Sequence, residues 1–258
     1  MQDLASRLLT HVKNVRKHHD CKILVTNFLL PDGDTSLHGM ELADQVSQLL
    51  ASDGKKISVV ARAPLQEMFV KDRLRSRDMT SNDEQRWLGS HLGADVVLLG
   101  RTVPLGEGMV RLSAHFLAAS EKDKVGPDEE VNLTAPASAQ DLTPRELYSA
   151  LPRFDTSQFH EKVYRSGVKG APIASCYYMP NPSYADDARR ARFSGTILLE
   201  AVVDTDGSVK APRIVQGACC GLNESALRTM SLWKWKPPAI DGTPVPVVVS
   251  FEVTFRLY

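Results

Sequence analysis

The last fourteen residues constrain the chain most. Val245, Val247, Val249, Phe251, Val253, Phe255 and Leu257 alternate with Pro246, Val248, Ser250, Glu252, Thr254, Arg256 and Tyr258. A period of two puts each set on its own face of a strand, so this run is a half-buried β-strand. Such a strand needs partners to be stable. Two lie upstream. Gly195 to Val203 and Ser208 to Val215 read as strands joined by a turn at Asp206-Gly207. Between them and the last strand, Asn223 is positioned to cap a helix ending at Trp233–Lys236, stopped by Pro237-Pro238. The order strand, strand, helix, long strand defines a small α+β unit. Pro244 and Pro246 stand at the start of the last strand, where proline is tolerated in edge strands.

The rest of the chain has a different rhythm. Leu4, Leu8, Val12 and Val15 predict an amphipathic helix, followed by a short apolar strand at 22–29 and a turn at Pro31-Asp32-Gly33. Ser36 is a candidate cap for a helix running to about Ala51. A strand at 57–60, helices at about 64–74 and 81–92, and a strand at 94–100 follow. A hairpin then turns at 104–108 into the alternating run Val110 to Phe116. Thr143-Pro144-Arg145-Glu146 has the residues of a capped helix start, so a short helix is expected up to Pro152. Strands alternating with helices and closing on a hairpin predict an α/β sandwich with a mixed sheet. The expected division is an α/β domain at 1–152, a linker at 153–175 and an α+β domain at 176–258.

Charge narrows the function. The chain has 258 residues, with 31 Lys and Arg against 31 Asp and Glu. Residues 1–152 hold 18 basic and 21 acidic residues, the remainder 13 and 10. Neither part is a polyelectrolyte, which argues against nucleic-acid binding. No apolar run reaches the roughly 20 residues of a membrane helix. The first residues lack the basic and apolar regions of a secretory leader. The chain therefore reads as soluble, with membrane contact only through an absent anchor or a partner.

Individual motifs carry little chemistry. His18-His19-Asp20 suits a helix end better than a metal site, because no third ligand is near. Asp204-Thr205-Asp206-Gly207 fails the calcium-loop pattern, having Val209 and Val215 where Gly and Glu are needed. Gly106-Glu107-Gly108 lacks the third glycine and helix of a dinucleotide loop. No catalytic constellation stands out, and the expectation is a non-enzyme without cofactor or metal. Trp233 and Trp235 point different ways if both are helical, one into the core and one under the last strand. Of the four cysteines, Cys176, Cys219 and Cys220 fall in the last third. Three readings stay open: a disulfide from Cys176 to Cys219 or Cys220, which is favoured, a zinc site with His160, or buried thiols.

The C-terminal motifs resemble the C-terminal domain of TonB-family proteins over about 180–258. They include Tyr184-Ala185-Asp186-Asp187-Ala188, Phe193-Ser194-Gly195-Thr196-Ile197 and Asp204-Thr205-Asp206-Gly207. Gly221-Leu222-Asn223-Glu224-Ser225-Ala226-Leu227, Trp233-Lys234-Trp235-Lys236-Pro237, Gly242-Thr243-Pro244-Val245-Pro246-Val247 and Phe255-Arg256-Leu257 follow in order. Ala185 replaces the usual Pro and Asn223 the usual Asp. The membrane helix and Pro-rich spacer of the transducers are not in this sequence. More weakly, Ile23–Leu50, Val60–Leu65 and Leu92–Gly100 resemble the α/β domain of CsgG- and FlgO-type envelope proteins, and more distantly the N-terminal domain of TolB.

The resemblance implies a periplasmic protein that captures an outer-membrane transporter peptide, or another envelope protein, by strand addition in energy-coupled transport. The implied partner-binding residues are Tyr184, Val247, Val249, Ser250, Phe251, Glu252, Val253, Thr254 and Phe255. In that scheme Ser250, Glu252 and Thr254 face one side, while Val249, Phe251 and Val253 pack inward. The same strand also suits plain core packing or a homodimer. An envelope-assembly adaptor using the fold only for docking is the alternative function. A small-ligand receptor or enzyme is the third.

Overall fold

The computed structural model describes residues 21–52, 57–120, 131–138, 141–145, 154–159, 161–166, 168 and 170–257. The expected helix at 4–15, His18-His19-Asp20 and His160 lie outside them. The chain is of mixed α+β class and divides into two units, Met1–Lys71 with Arg75–Leu147, and Asp72–Leu74 with Tyr148–Tyr258.

In the first unit the apolar run becomes β1 (Cys21–Leu29), followed by β2 (Thr35–Ser36) and α1 (Leu37–Ser52). Ser36 Oγ accepts from Gly39 N at 3.1 Å, satisfying a free donor of the first helical turn. Next come β3 (Ile57–Val59), α2 (Ala63–Asp72) and α3 (Asn82–His91). A full capping box starts α3, with Ser81 and Glu84 bonding each other's backbone. The hairpin is β4 (Val96–Gly106) and β5 (Met109–Ala118), joined by β6 (Val131–Pro136) and β7 (Pro144–Arg145). Strand order is β6-β5-β4-β1-β2-β7, with β3 also on β1. β1 runs parallel to β3 and β4, and the other pairs are antiparallel, so the sheet is mixed.

Leu42, Ala43, Val46 and Leu50 of α1 cover Ile23, Val25, Phe28, Val96, Leu98 and Leu112. A Cβ on Gly100 would lie 2.5 Å from the Phe28 ring, so that position admits no side chain. Arg62 is buried. Its guanidinium donates to Asp44 Oδ1 and Asn27 Oδ1 at 2.6 Å and to the Val25 carbonyl at 2.5 Å. Desolvation lowers its pKa, and Asp44 works against that loss.

One expectation fails here and one strand was not foreseen; the remainder of the expected helix, 146–152, lies outside the described residues. Pro144–Arg145 form a strand bridged to Thr35–Ser36, not the first turn of a helix. The local capping signal is overridden because β2 offers its edge to this segment. β6 went unpredicted, although Val131, Leu133 and Ala135 alternate against β5.

The second unit begins with β8 (Tyr164–Arg165), inside the stretch expected as a linker, and β9 (Ser175–Tyr178), which starts at the last residue of that stretch. Then come α4 (Asp186–Arg190), β10 (Gly195–Val203), β11 (Val209–Gln216) and α5 (Leu222–Met230). The chain ends with β12 (Lys234–Lys236), β13 (Ala239–Ile240), β14 (Thr243–Pro244) and β15 (Val247–Phe255). The main sheet has the order β11-β10-β15-β8, while β9 pairs β12 and β13 pairs β14 in two small ribbons. Gly207 turns the β10–β11 hairpin with φ +78°, and a Cβ there would collide with the Trp235 carbonyl.

The expected helix to Lys236 stops at Met230. Lys234–Lys236 leave as strand β12 to pair β9, which sends Trp235 to one face of a ribbon. Both indoles then reach the last strand, Trp233 at 4.9 Å and Trp235 at 6.4 Å between ring centroids from Phe251. Nor does Asn223 cap α5. Gly221, with φ +84°, holds that position, and Asn223 Oδ1 accepts from Ala218 N at 2.9 Å.

Candidate functional site

β15 pairs with β10 over its whole length, Val247 opposite Val203 through Phe255 opposite Gly195, with no slip. Among the described residues its other side is mostly uncovered. β8 covers only Val247 and Val248, in parallel register with Tyr164 and Arg165. Tyr164 N donates to the Pro246 carbonyl and Ser166 N to the Val248 carbonyl, each at 2.9 Å. Those two bonds fix the direction of the backbone. Even-numbered residues aim N–H and C=O away from β10, so Ser250, Glu252 and Thr254 present three donors and three acceptors outward. Among the described residues no strand pairs with that stretch.

Side chains divide as the alternation requires. Ser250, Glu252 and Thr254 are exposed on one face. Val249 and Phe255 are buried on the other, with Phe251 and Val253 half-buried between them. Val247 and Val249 pack with Val203, Trp235 and Phe251. Val248 is buried too, but against Phe154 and Val202 on the opposite face. Tyr184 braces the end of the strand. Its ring meets Phe255 edge-on at 5.6 Å, and its hydroxyl donates to the Phe193 carbonyl. The structure thus gathers all nine expected residues on one strand or its brace, with Val247 and Val248 taken by β8.

Sequence reasoning missed the charged lattice beside this edge. Glu200 on β10 accepts from Arg165 of β8 at 2.8 Å and from Arg213 of β11 at 2.6 Å. Ser250 of β15 also donates to it at 3.3 Å. Burial raises the Glu200 pKa, and the two arginines outweigh it, so the net direction is down. Arg213 stacks over Phe154 at 4.7 Å. Four strands therefore meet at one carboxylate. No local spacing announces it, since the residues are far apart in the chain.

The favoured cysteine pairing is overturned. Cys219 and Cys220 bond to each other. Cys176 is a free thiol on β9, with Sγ donating to the Tyr178 and Lys234 carbonyls. Cys220 and Gly221 both have positive φ, and that tight turn at the start of α5 brings the adjacent sulfurs together. Cys176 is instead held at the β9–β12 ribbon opposite Trp235. Among the described residues, no group of three or more His, Cys, Asp or Glu is placed to hold a metal ion.

Order of motifs, hairpin, helix and long last strand now stand together in one unit. Residues 180–257 match the family described as Gram-negative bacterial TonB protein C-terminal. The Protein TonB of Vibrio cholerae is 30% identical over 77 residues. That alignment covers 30% of this chain and 32% of the relative, so the chain spans about a third of the length of the curated relative it matches. Among solved structures, the LpoB C-terminal domain from Salmonella enterica aligns with 16% identity and a TM-score of 0.40, covering 53% of this chain and 95% of that one. The TonB C-terminal domain of Pseudomonas aeruginosa aligns with 14% identity and a TM-score of 0.30, covering 36% and 92%. The TonB-like domain thus contains β15, its open edge and Tyr184, while β8 and β9 precede it. Among the described residues no helix is long and apolar enough to cross a membrane.

Proposed function

We propose that the TonB-like domain captures an extended peptide from an envelope partner by adding it as a strand to β15 from Val249 to Phe255. The observation that supports this is the ladder beside the β8 cover, at Ser250, Glu252 and Thr254, with which no strand among the described residues pairs. Main-chain pairing makes little demand on sequence, and the alternate side chains tune choice. At about 1 kcal/mol net per hydrogen bond, so short a ladder gives reversible binding unless side-chain contacts add to it. The peptide is the N-terminal segment of an outer-membrane transporter, the protein works in the periplasm, and the setting is energy-coupled transport. The family match at 180–257 supports that reading. The first unit is an envelope docking module of the CsgG/FlgO type, read from the segments that resemble it. A scaffolding adaptor is the second reading, favoured by the same edge, because an open strand pairs equally with a second copy across a two-fold axis.

The test is an amide-shift titration of the labelled full chain with peptides from transporter N-termini. Saturable shifts at Ser250, Glu252 and Thr254 are expected. Silence there at saturating peptide overturns the strand-addition site. Protection of the same amides without peptide, rising with protein concentration, transfers the edge to a homodimer and the function to scaffolding.

A further inference from the structure

The β9–β12 ribbon carries a surface that strand addition does not use. Tyr178 lies opposite Lys234, while Cys176 lies opposite Trp235, so the register slips at Tyr177. Regular alternation would send one of two adjacent tyrosines inward. The bulge leaves both outside, Tyr177 65% and Tyr178 54% exposed. Ile173 at 86%, Met179 at 58% and Leu232 at 57% extend the patch. Trp233 Nε1 donates to the Pro180 carbonyl at 3.1 Å, which holds the Leu232 end beside Met179. Lys234 and Lys236 are exposed on β12.

Charge decides what such a patch fits. Neither Ile173–Ala185 nor Ala226–Ile240 contains an Asp or Glu, whereas the second includes Arg228, Lys234 and Lys236. Gly207 packs against Trp235 and brings one carboxylate, Asp206, toward the Lys236 end, where it accepts from Ser208 N and stays ionised; the two lysines of β12 still outnumber it. Whole-chain neutrality therefore conceals a local asymmetry: apolar and phenolic groups at the tip, with ammonium groups beside them. Tyrosine places an apolar body and a polar end at one level, which suits the boundary between water and acyl chains. Lysines beside it suit anionic headgroups. We propose that the exposed face of the β9–β12 ribbon docks on an anionic lipid surface, so that the chain contacts a membrane directly through this patch. The proposal does not rest on strand addition, because the surface shares no residue with the β15 edge.

Flotation of the full chain with vesicles of phosphatidylcholine and phosphatidylglycerol, 7:3, tests it. Binding is expected in about 0.05 M salt, with release toward about 0.5 M salt and none to phosphatidylcholine alone. Lys234→Gln with Lys236→Gln is expected to weaken partitioning about 25-fold, at roughly fivefold per lysine. Tyr177→Ser with Tyr178→Ser weakens it without altering the salt slope. Thermal melts confirm that each variant folds. Absence of flotation, or flotation unchanged by both pairs, overturns the proposal. So does a dimer in sedimentation that the tyrosine pair dissolves, since a second copy would then cover the patch.

Discussion

The two long strands β11 and β15 flank β10, yet their outer sides are built in opposite ways. β11 slips register twice against β10, at Leu198/Leu199 and at Glu200/Val202. It contains Pro212, which has no N–H, and Ala211 at φ +45°. Lys210 and Arg213 add charge. Bulges, proline and basic residues are the usual means of keeping a sheet edge from pairing. β15 has none of them between Val247 and Phe255. It keeps one register over nine residue pairs, with Glu252 its sole charge. One side of the sheet is therefore closed by backbone irregularity. The other is left regular and, among the described residues, is covered by β8 for only two residues.

Proline substitution separates the two sides of β15 most sharply. Phe251 points its N–H at β10, opposite Leu199, so Phe251→Pro removes a ladder bond inside the sheet and trims a ring packed on both indoles. Loss of about 3 kcal/mol or more is expected in urea unfolding. Glu252 points its N–H outward. Glu252→Pro should cost less than about 1 kcal/mol, because proline is tolerated where no ladder donor is needed. It should nevertheless abolish the peptide-induced shifts. Equal destabilisation by the two prolines would show that both sides of β15 are paired, and the contrast with β11 would collapse.

How far this was legible follows from the same contrast. The β10–β11 hairpin and β15 were readable because alternation over eight or nine residues is a local signal. The freedom of the edge was not, because it depends on β8, two residues without period that lie 83 positions before Val247. The Glu200 lattice was equally hidden, since its members come from four strands. Local signals also misled. Thr143-Pro144-Arg145-Glu146 has the chemistry of a helix start, yet β2 recruits Pro144–Arg145 as a strand. Asn223 has the chemistry of a cap, yet the Cys219–Cys220 turn starts the helix earlier. In the first case a partner distant in sequence decided between two locally acceptable conformations; in the second a tight turn immediately upstream did.

Glu200 ties the closed side to the open one, joining Arg213 of β11, Ser250 of β15 and Arg165 of β8. Glu200→Gln removes the charge that both arginines address, and a loss of about 2 kcal/mol at pH 7 is expected. The pH dependence has a definite sign. A carboxylate with a folded pKa below its unfolded value stabilises fully above the unfolded value, about 4.3, and loses that contribution as pH falls through the folded pKa. Urea midpoints of the native chain should therefore approach those of Glu200→Gln as pH drops from about 5 toward 3. A gap constant over that range would mean that the carboxyl is held by packing rather than by its charge.

The smallest expected effect lies on β11 itself. Ala211 adopts positive φ before a proline, a left-handed conformation that costs an L-residue about 1–2 kcal/mol. Ala211→Gly relieves that strain but loosens the unfolded chain by roughly 0.5–1 kcal/mol. It also removes a methyl that packs with Phe154 and Val248. These terms nearly cancel, leaving a gain of about 0.5 kcal/mol, readable as a small rise in urea midpoint. A loss above about 1 kcal/mol would show that the methyl contact outweighs the strain. The irregularity of β11 would then be a consequence of packing Phe154 under the sheet, and the closed edge a by-product of that packing.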